Sequence, residues 1–339
     1  MKNELQGIAD PIFLPRFLDY EAYPDIEYVL QSIRDIREFL DSNGGKFFSY
    51  AGLGLYFHAF DQQIPFQNFV KDAKKIQDVL EEKIFENYSW KHSVDGNLNR
   101  IYDQLFSFIQ KYSDSIHITT TNYDRAVEEY CSNPNNPYFC IDGFQLQPTS
   151  GRFLWAKGDF GYEGKRDNRK DVFLYKLHGS LNWKKHTKYG MERTSEEWKP
   201  RDSNYEENML VYPTLSPKDG YEREPYMSIR RNFEIEMKNA DACIVIGFSF
   251  RDGHIDAIFE DFIKRKKLLI VLSPNAITDF RANLLKENLG DQELKTSQTS
   301  TMHNIDNHVY LMQYKLELNN VNVIIQQISS LIATIPKVL

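Results

Sequence analysis

Two hydrophobic rhythms divide the chain. In the first third, apolar residues recur every three or four positions. DIEYVLQSIRDIREFL places Ile26, Val29, Leu30, Ile33 and Leu40 near one face after a Pro24-Asp25 start, a second run extends from about 66 to 85 through Phe69, Val70, Ala73, Ile76, Val79 and Leu80, and a third continues from Leu98 through Ile101, Tyr102, Leu105 and Ile109. This spacing predicts amphipathic helices whose charged faces are plain solvated surface. From Ser115 onward the pattern changes to short apolar runs: SIHIT at 115–119, DVFLYKL at 171–177, ACIVIG at 242–247, LLIVLS at 268–273 and HVYLMQY at 308–314. Helices are predicted over 124–131, 253–266, 276–288 and 319–334. That alternation predicts an α/β fold, a parallel sheet with helices on both faces. Two segments, 132–170 and 184–240, break the rhythm and read as long connections, a class that is usually functional or mobile. No internal repeat or low-complexity tract occurs. The expected organisation is a single domain over 1–339, with an inserted or N-terminal helical module at 25–111 and the sheet-bearing core at 112–339.

Composition narrows the function classes. With 41% hydrophobic and 14% aromatic residues among 339, the chain can fill a real core. Lys and Arg number 41 against 48 Asp and Glu, a net charge of -7, which argues against a general grip on the nucleic-acid backbone. No apolar stretch approaches a membrane span, and MKNELQGIAD lacks the layout of a signal peptide, so a cytoplasmic protein is expected. The 3 cysteines, Cys131, Cys140 and Cys243, are too few for a disulfide framework or a four-cysteine zinc module and read as small buried residues. No histidine pair has metal-ligand spacing; His117 reads as a packed strand residue and His254 as a local hydrogen-bonding group at a helix start. No metal is indicated.

The candidate chemistry lies at the carboxyl ends of the apolar runs. TTNYD follows the first, HGS the second, GFSFRDGH the third and SPNA the fourth. In an open parallel sheet, ligands bind outside the carboxyl ends of the strands, so four such clusters imply one site. Thr, Asn, Asp, Ser and Gly also build ordinary strand-to-helix turns, and Asp124 or Asp252 could simply cap the helix that follows. Taken alone, any one cluster reads as a turn. His178 beside Gly-Ser at one strand end and Asn122 at another are not needed for turns.

TTNYD at 120–124, LHGSLNW at 177–183 and VIGFSFRDGHI at 245–255, in this order, resemble the sirtuin-like NAD-consuming domains of bacterial anti-phage defence proteins. The resemblance extends from about Asp25 to the final helix. It implies a Rossmann-like sheet that binds NAD+ as substrate and cleaves its nicotinamide-ribose bond. On this resemblance Asn122 holds the nicotinamide ribose or the attacking water, and His178 is the catalytic histidine. The nucleotide-binding set is Thr121, Asp124, Gly179, Gly247, Phe248, Ser249 and Asn275. Within it, Gly247 and Ser249 let the backbone approach ribose and phosphates, Asn275 faces the adenosine half, and Thr121, Asp124 and Gly179 shape turns. The resemblance also implies control by self-assembly into a homo-oligomer, or by a separate ATPase or phage-sensing partner. No membrane partner is expected.

One departure from the family stands out. Its domains open with a strand and a Gly-Ala-Gly-x-Ser loop that cradles pyrophosphate, and nothing before Pro24 supplies it. SYAGLGLY at 49–56 follows the first helix, where its glycines serve packing or a turn. The expectation is weak NAD+ binding by these residues alone, with further native residues before Met1 or donors recruited from a neighbouring subunit.

The chemistry asks little of the protein beyond position. Nicotinamide leaves as a neutral molecule, so no strong acid is needed, while a neutral imidazole, with an ordinary pKa of about 6.5, can take a proton from water. Two rivals remain: an NAD-dependent protein deacylase, which normally carries the four-cysteine zinc module, and a non-catalytic NAD or ADP-ribose sensor or scaffold.

Overall fold

The computed structural model describes residues 96–156, 160, 169–195, 204–211, 223–287, 302–314 and 319–333, together with Glu82 and Phe85. The helix expected near 26–40, the glycine-containing 49–56 and all of 1–24 lie outside the described residues, as does the helix expected over 66–85 apart from those two positions.

In chain order, the first half runs α1 (Gly96–Ile109), β1 (Ile116–Thr120), α2 (Ala126–Ser132), β2 (Tyr138–Ile141), β3 (Phe144–Gln147), β4 (Arg152–Trp155), β5 (Lys170–Lys176) and β6 (Gly179–His186). The second half continues with β7 (Gly190–Arg193), β8 (Tyr205–Leu210), α3 (Tyr226–Asn239), β9 (Ala242–Ile246), α4 (Gly253–Lys264), β10 (Leu268–Leu272), α5 (Ala276–Asp279), β11 (Met302–Asp306), β12 (Val309–Met312) and α6 (Val321–Ile332). All five apolar runs form strands. They fall into two parallel groups, β1-β5-β2 and β12-β10-β9, with β11 antiparallel at the edge of the second.

Side-chain alternation explains why these strands are apolar throughout. On β10, Leu269 and Val271 face a cluster that contains Ile229 and Phe233 of α3 and Ile258, Phe259 and Phe262 of α4. Leu268, Ile270 and Leu272 face the other way, onto Phe108 of α1 and Ile324 and Ile328 of α6. With both faces covered by helices, every position of LLIVL is buried. Each such side chain contributes about 1.5–3 kcal/mol relative to exposure. β5 repeats the device: Val172 and Leu174 pack with Phe106 of α1 and Tyr130 of α2, while Tyr175 joins the α3 side. α4 itself forms because Ile255, Ile258, Phe259 and Phe262 recur at helical spacing behind an Asp252 cap.

Three expectations need correction. The segment 132–170 is not a mere connection, since it contributes β2 to a parallel group and the hairpin β3-β4 to a five-stranded antiparallel sheet of order β3-β4-β7-β6-β8. The segment 184–240 completes that sheet and adds α3, whose Tyr226, Ile229, Phe233 and Met237 are buried at spacings of three and four. The helix expected over 276–288 is a single turn, α5, followed by a π-helical turn at Phe280–Leu284. The wider turn buries both Phe280 and Leu284, with the Phe280 ring edge-on to Phe250 at 5.5 Å.

Register sets where the loops emerge. Thr120 pairs with Lys176, Leu272 with Ile246, and Leu272 also with Met312. Within each parallel group the carboxyl ends are therefore level.

Candidate functional site

The first pair of strand ends is clamped by a buried cation. Lys176, the last residue of β5, is 0% exposed. Its Nζ donates to Glu128 Oε1 at 2.9 Å, to Ser180 Oγ at 2.8 Å, to the Tyr123 carbonyl at 3.3 Å and to the Asp124 carbonyl. A lysine this deep needs such partners, because an unpaired buried ammonium is costly. The consequence is that the TTNYD loop, the start of β6 and α2 are held as one piece. Backbone bonds reinforce it, from Leu177 N–H to the Thr120 carbonyl at 2.9 Å and from Leu181 N–H to the Tyr123 carbonyl at 3.1 Å. Tyr123 Oη donates to the Val211 carbonyl at 2.8 Å, and Val211 N–H returns to the His178 carbonyl at 2.8 Å.

His178 occupies the two-residue link between β5 and β6, 4% exposed, and its ring centroid lies 6.4 Å from that of Tyr123. Its Nε2 is 3.0 Å from Asp252 Oδ2, and both side chains are about 5–6% exposed. Asp252 does two jobs. Oδ1 caps α4 by accepting from His254 N–H at 3.0 Å, as its sequence position suggests, and Oδ2 faces the imidazole. An ionised carboxylate can only accept, so Nε2 is the donor in this contact. The sequence alone gave no sign of this bond, which joins residues 74 apart.

The remaining candidates divide by exposure. Asn122 is exposed in the loop after β1, and its N–H donates to Thr120 Oγ1 at 3.0 Å; Thr121 beside it is half-buried. Asp124 Oδ1 accepts from Ala126 N–H at 2.9 Å and starts α2. Gly179 is buried with φ +88°, and a Cβ there would lie 2.1 Å from the Met209 carbonyl oxygen, so its space is filled by protein. Gly247 is the opposite case: exposed, φ +69°, with nothing within 4 Å of a Cβ. Its N–H bonds the Leu272 carbonyl at 2.9 Å, which ties the ends of β9 and β10. Phe248 packs half-buried against Phe250 and Phe259, and the Ser249 carbonyl accepts from Asn283 Nδ2 at 2.7 Å. Asn275, exposed after β10, takes its N–H to Ser273 Oγ at 3.1 Å. Hydrogen bonds thus connect all four loops in series, through Lys176, Asp252, Gly247 and Asn283.

The SIR2-like domain family profile matches residues 116–296, more than half of the 339-residue chain and all three motif segments. The chain belongs to the SIR2-like domain family. Membership assigns it an NAD-related, sirtuin-type function. Among solved structures, the chain is similar to a triple mutant of a Sir2 homologue in complex with 2′-O-acetyl ADP-ribose, at 12% identity over 81% of each chain, with a TM-score of 0.41. No curated protein matches the chain.

Within this SIR2-like domain, among the described residues, nothing lies within 4 Å of a Cβ built at Gly247, so the ends of β9 and β10 leave its backbone approachable. Asp256, one turn into α4, is a buried carboxylate that sequence reading missed; burial pushes it up to about 7, with Lys286 opposing the shift and Asp252 adding to it. The signal was present in the sequence, since HIDAIF sets a carboxylate on the apolar face of the helix. His117 stacks on Phe173 at 4.8 Å but is exposed at the sheet surface rather than packed away. The three cysteines are free thiols, Cys131 buried and the others half-buried, and burial pushes Cys243 up to about 12. Among the described residues, no cluster of three or more His, Cys, Asp or Glu could hold a metal ion, and no helix is long and apolar enough to cross a membrane.

Proposed function

We propose that this SIR2-like protein is an NAD+ glycohydrolase. Water adds to the nicotinamide-bearing ribose carbon, the carbon–nitrogen bond breaks with its electron pair leaving on neutral nicotinamide, and one proton from water is released as ADP-ribose forms. His178 takes that proton on Nδ1, with Nε2–H held by Asp252. Asn122, exposed in the loop after β1, the strand paired with β5, donates to a ribose hydroxyl or accepts from the attacking water. The observation that carries the reading is the buried His178–Asp252 contact of 3.0 Å, where two strand-end loops meet in a SIR2-like domain. General-base assistance contributes roughly 10²- to 10⁴-fold, with orientation and exclusion of water supplying more.

Likeness of TTNYD, LHGSLNW and VIGFSFRDGHI to anti-phage proteins supports a role in abortive infection by NAD+ depletion, in a homo-oligomer or under a separate ATPase or phage-sensing partner. With 3 cysteines in the whole chain, the four-cysteine zinc module of protein deacylases cannot form. The test is NAD+ loss with and without an acetyl-lysine peptide, repeated with Asn122→Ala and His178→Ala. Peptide-independent loss, reduced about 10²-fold or more in each variant, is expected. Peptide-dependent loss would indicate a deacylase, tight binding without turnover a sensor, and parental rates in either variant a different site.

A further inference from the structure

α4 opens with two carboxylates one turn apart. Asp252 is 7% exposed and Asp256 3%, and the Asp256 N–H bonds the Asp252 carbonyl at 2.9 Å. Asp252 is the cap ahead of the helix and Asp256 lies in its first turn, so both carboxylates sit at the same helix end. Their surroundings nevertheless differ. Asp252 accepts from His254 N–H and faces His178 Nε2, whereas among the described residues neither Asp256 oxygen accepts a hydrogen bond. Lys286 Nζ lies 3.7 Å from Asp256 Oδ2, an ion-pair distance too long for a hydrogen bond, and its side chain is 67% exposed. Glu260, one turn further along α4, adds a weaker repulsion. Among the described residues, the groups facing Asp256 are therefore one exposed cation and two carboxylates, one of which is the partner of His178.

A buried carboxylate without donors is costly to ionise, more so beside a second one. When His178 is neutral, Asp252 already supplies a negative charge, and Asp256 relieves the repulsion by holding a proton. When Asp256 ionises, the added negative charge favours a proton on His178. We propose that Asp256 is a positioning residue which shares one proton with His178 through Asp252, so that protonation of Asp256 favours the neutral, base-competent imidazole and its ionisation favours the charged one. The proposal rests on His178 as the base, and its sign is fixed by charge alone. Such a pair titrates in two coupled steps, so activity climbs with pH over a wider range than one group gives.

The test follows the His178 imidazole chemical shifts by NMR in the full chain, over about pH 5 to 9, alongside the pH profile of NAD+ cleavage. The parent is expected to show a broad, two-step transition. Asp256→Asn, nearly isosteric and unable to titrate, is expected to show one step, with His178 losing its proton roughly half a pH unit or more lower. Lys286→Gln, a surface change, removes the cation that favours ionised Asp256 and should move the upper step to higher pH. A His178 curve that superimposes on the parent in Asp256→Asn overturns the proposal. Should that variant not fold, an unmoved upper step in Lys286→Gln overturns it. The chemical shifts do not require turnover, so coupling seen in a chain that never cleaves NAD+ supports the proton sharing while removing the hydrolase reading.

Discussion

The loops after β1 and β5 are built unlike those after β9 and β10. In the first pair, Lys176, His178, Gly179 and Ser180 are all buried, and one ammonium ties two loops and a helix together. In the second pair, Gly247 and Asn275 are exposed, and the bonds that hold them run through backbone and neutral side chains. A base needs a fixed position and a fixed proton, which buried charge partners give. A nucleotide needs backbone it can approach, which an exposed glycine at φ +69° gives. On the function proposed above, the difference separates a reacting half from a holding half. Asp252 spans them, with one oxygen on His178 and the other on the start of α4.

Breaking the clamp should have the largest effect. Lys176→Met leaves Glu128 and two buried carbonyls without their cation, and a loss of about 3–5 kcal/mol in chemical unfolding is expected. Unchanged stability would mean the two halves do not differ in rigidity as described. Next comes the pH dependence of stability. Asp256 keeps its proton to about 7 in the folded chain against 3.8 for an ordinary aspartate. Between those values the folded state binds more protons than the unfolded one, so stability falls as pH rises from about 4 to 7, on the order of a few kcal/mol. Asp256→Asn should flatten that fall in thermal melts.

Asp252→Asn sharpens the comparison on the reacting side. It can still cap α4 but loses the charge that fixes the imidazole proton, and kcat should drop ~10- to 100-fold with KM nearly unchanged. On the holding side, Gly247→Ala puts a methyl group where ligand backbone contact is expected and strains a left-handed residue by about 1–2 kcal/mol. KM should rise several-fold with little change in kcat. The opposite split, with KM moved by Asp252 and kcat by Gly247, would exchange the two roles.

Much of this arrangement was legible in the sequence, for a physical reason. Strands covered by helices on both faces must be apolar at every position, so LLIVL and ACIVI stand out. FQLQ, RFLW, GMER and YEENML did not, because each is short and burial does not follow apolar character there: in RFLW the exposed residue is Phe153, and in GMER the buried one is Glu192. Motif residues mark the ends of the parallel strands, and Asn122 and His178 are found there. What pairs with them was hidden: Asp252 was readable as a helix cap because capping is local, while its second oxygen meets a residue 74 positions away. Lys176 was likewise concealed at the end of a strand, where a lysine ordinarily points to solvent.

The most direct measurement is a double-mutant cycle on NAD+ cleavage with Asp252→Asn, His178→Ala and both together. If Asp252 acts by holding the imidazole, removing it from a chain that already lacks His178 costs nothing further. The double variant should then cleave NAD+ at the rate of His178→Ala alone. Losses that multiply, or a parent chain that leaves NAD+ intact, would contradict a reaction carried by His178 and Asp252 as one unit.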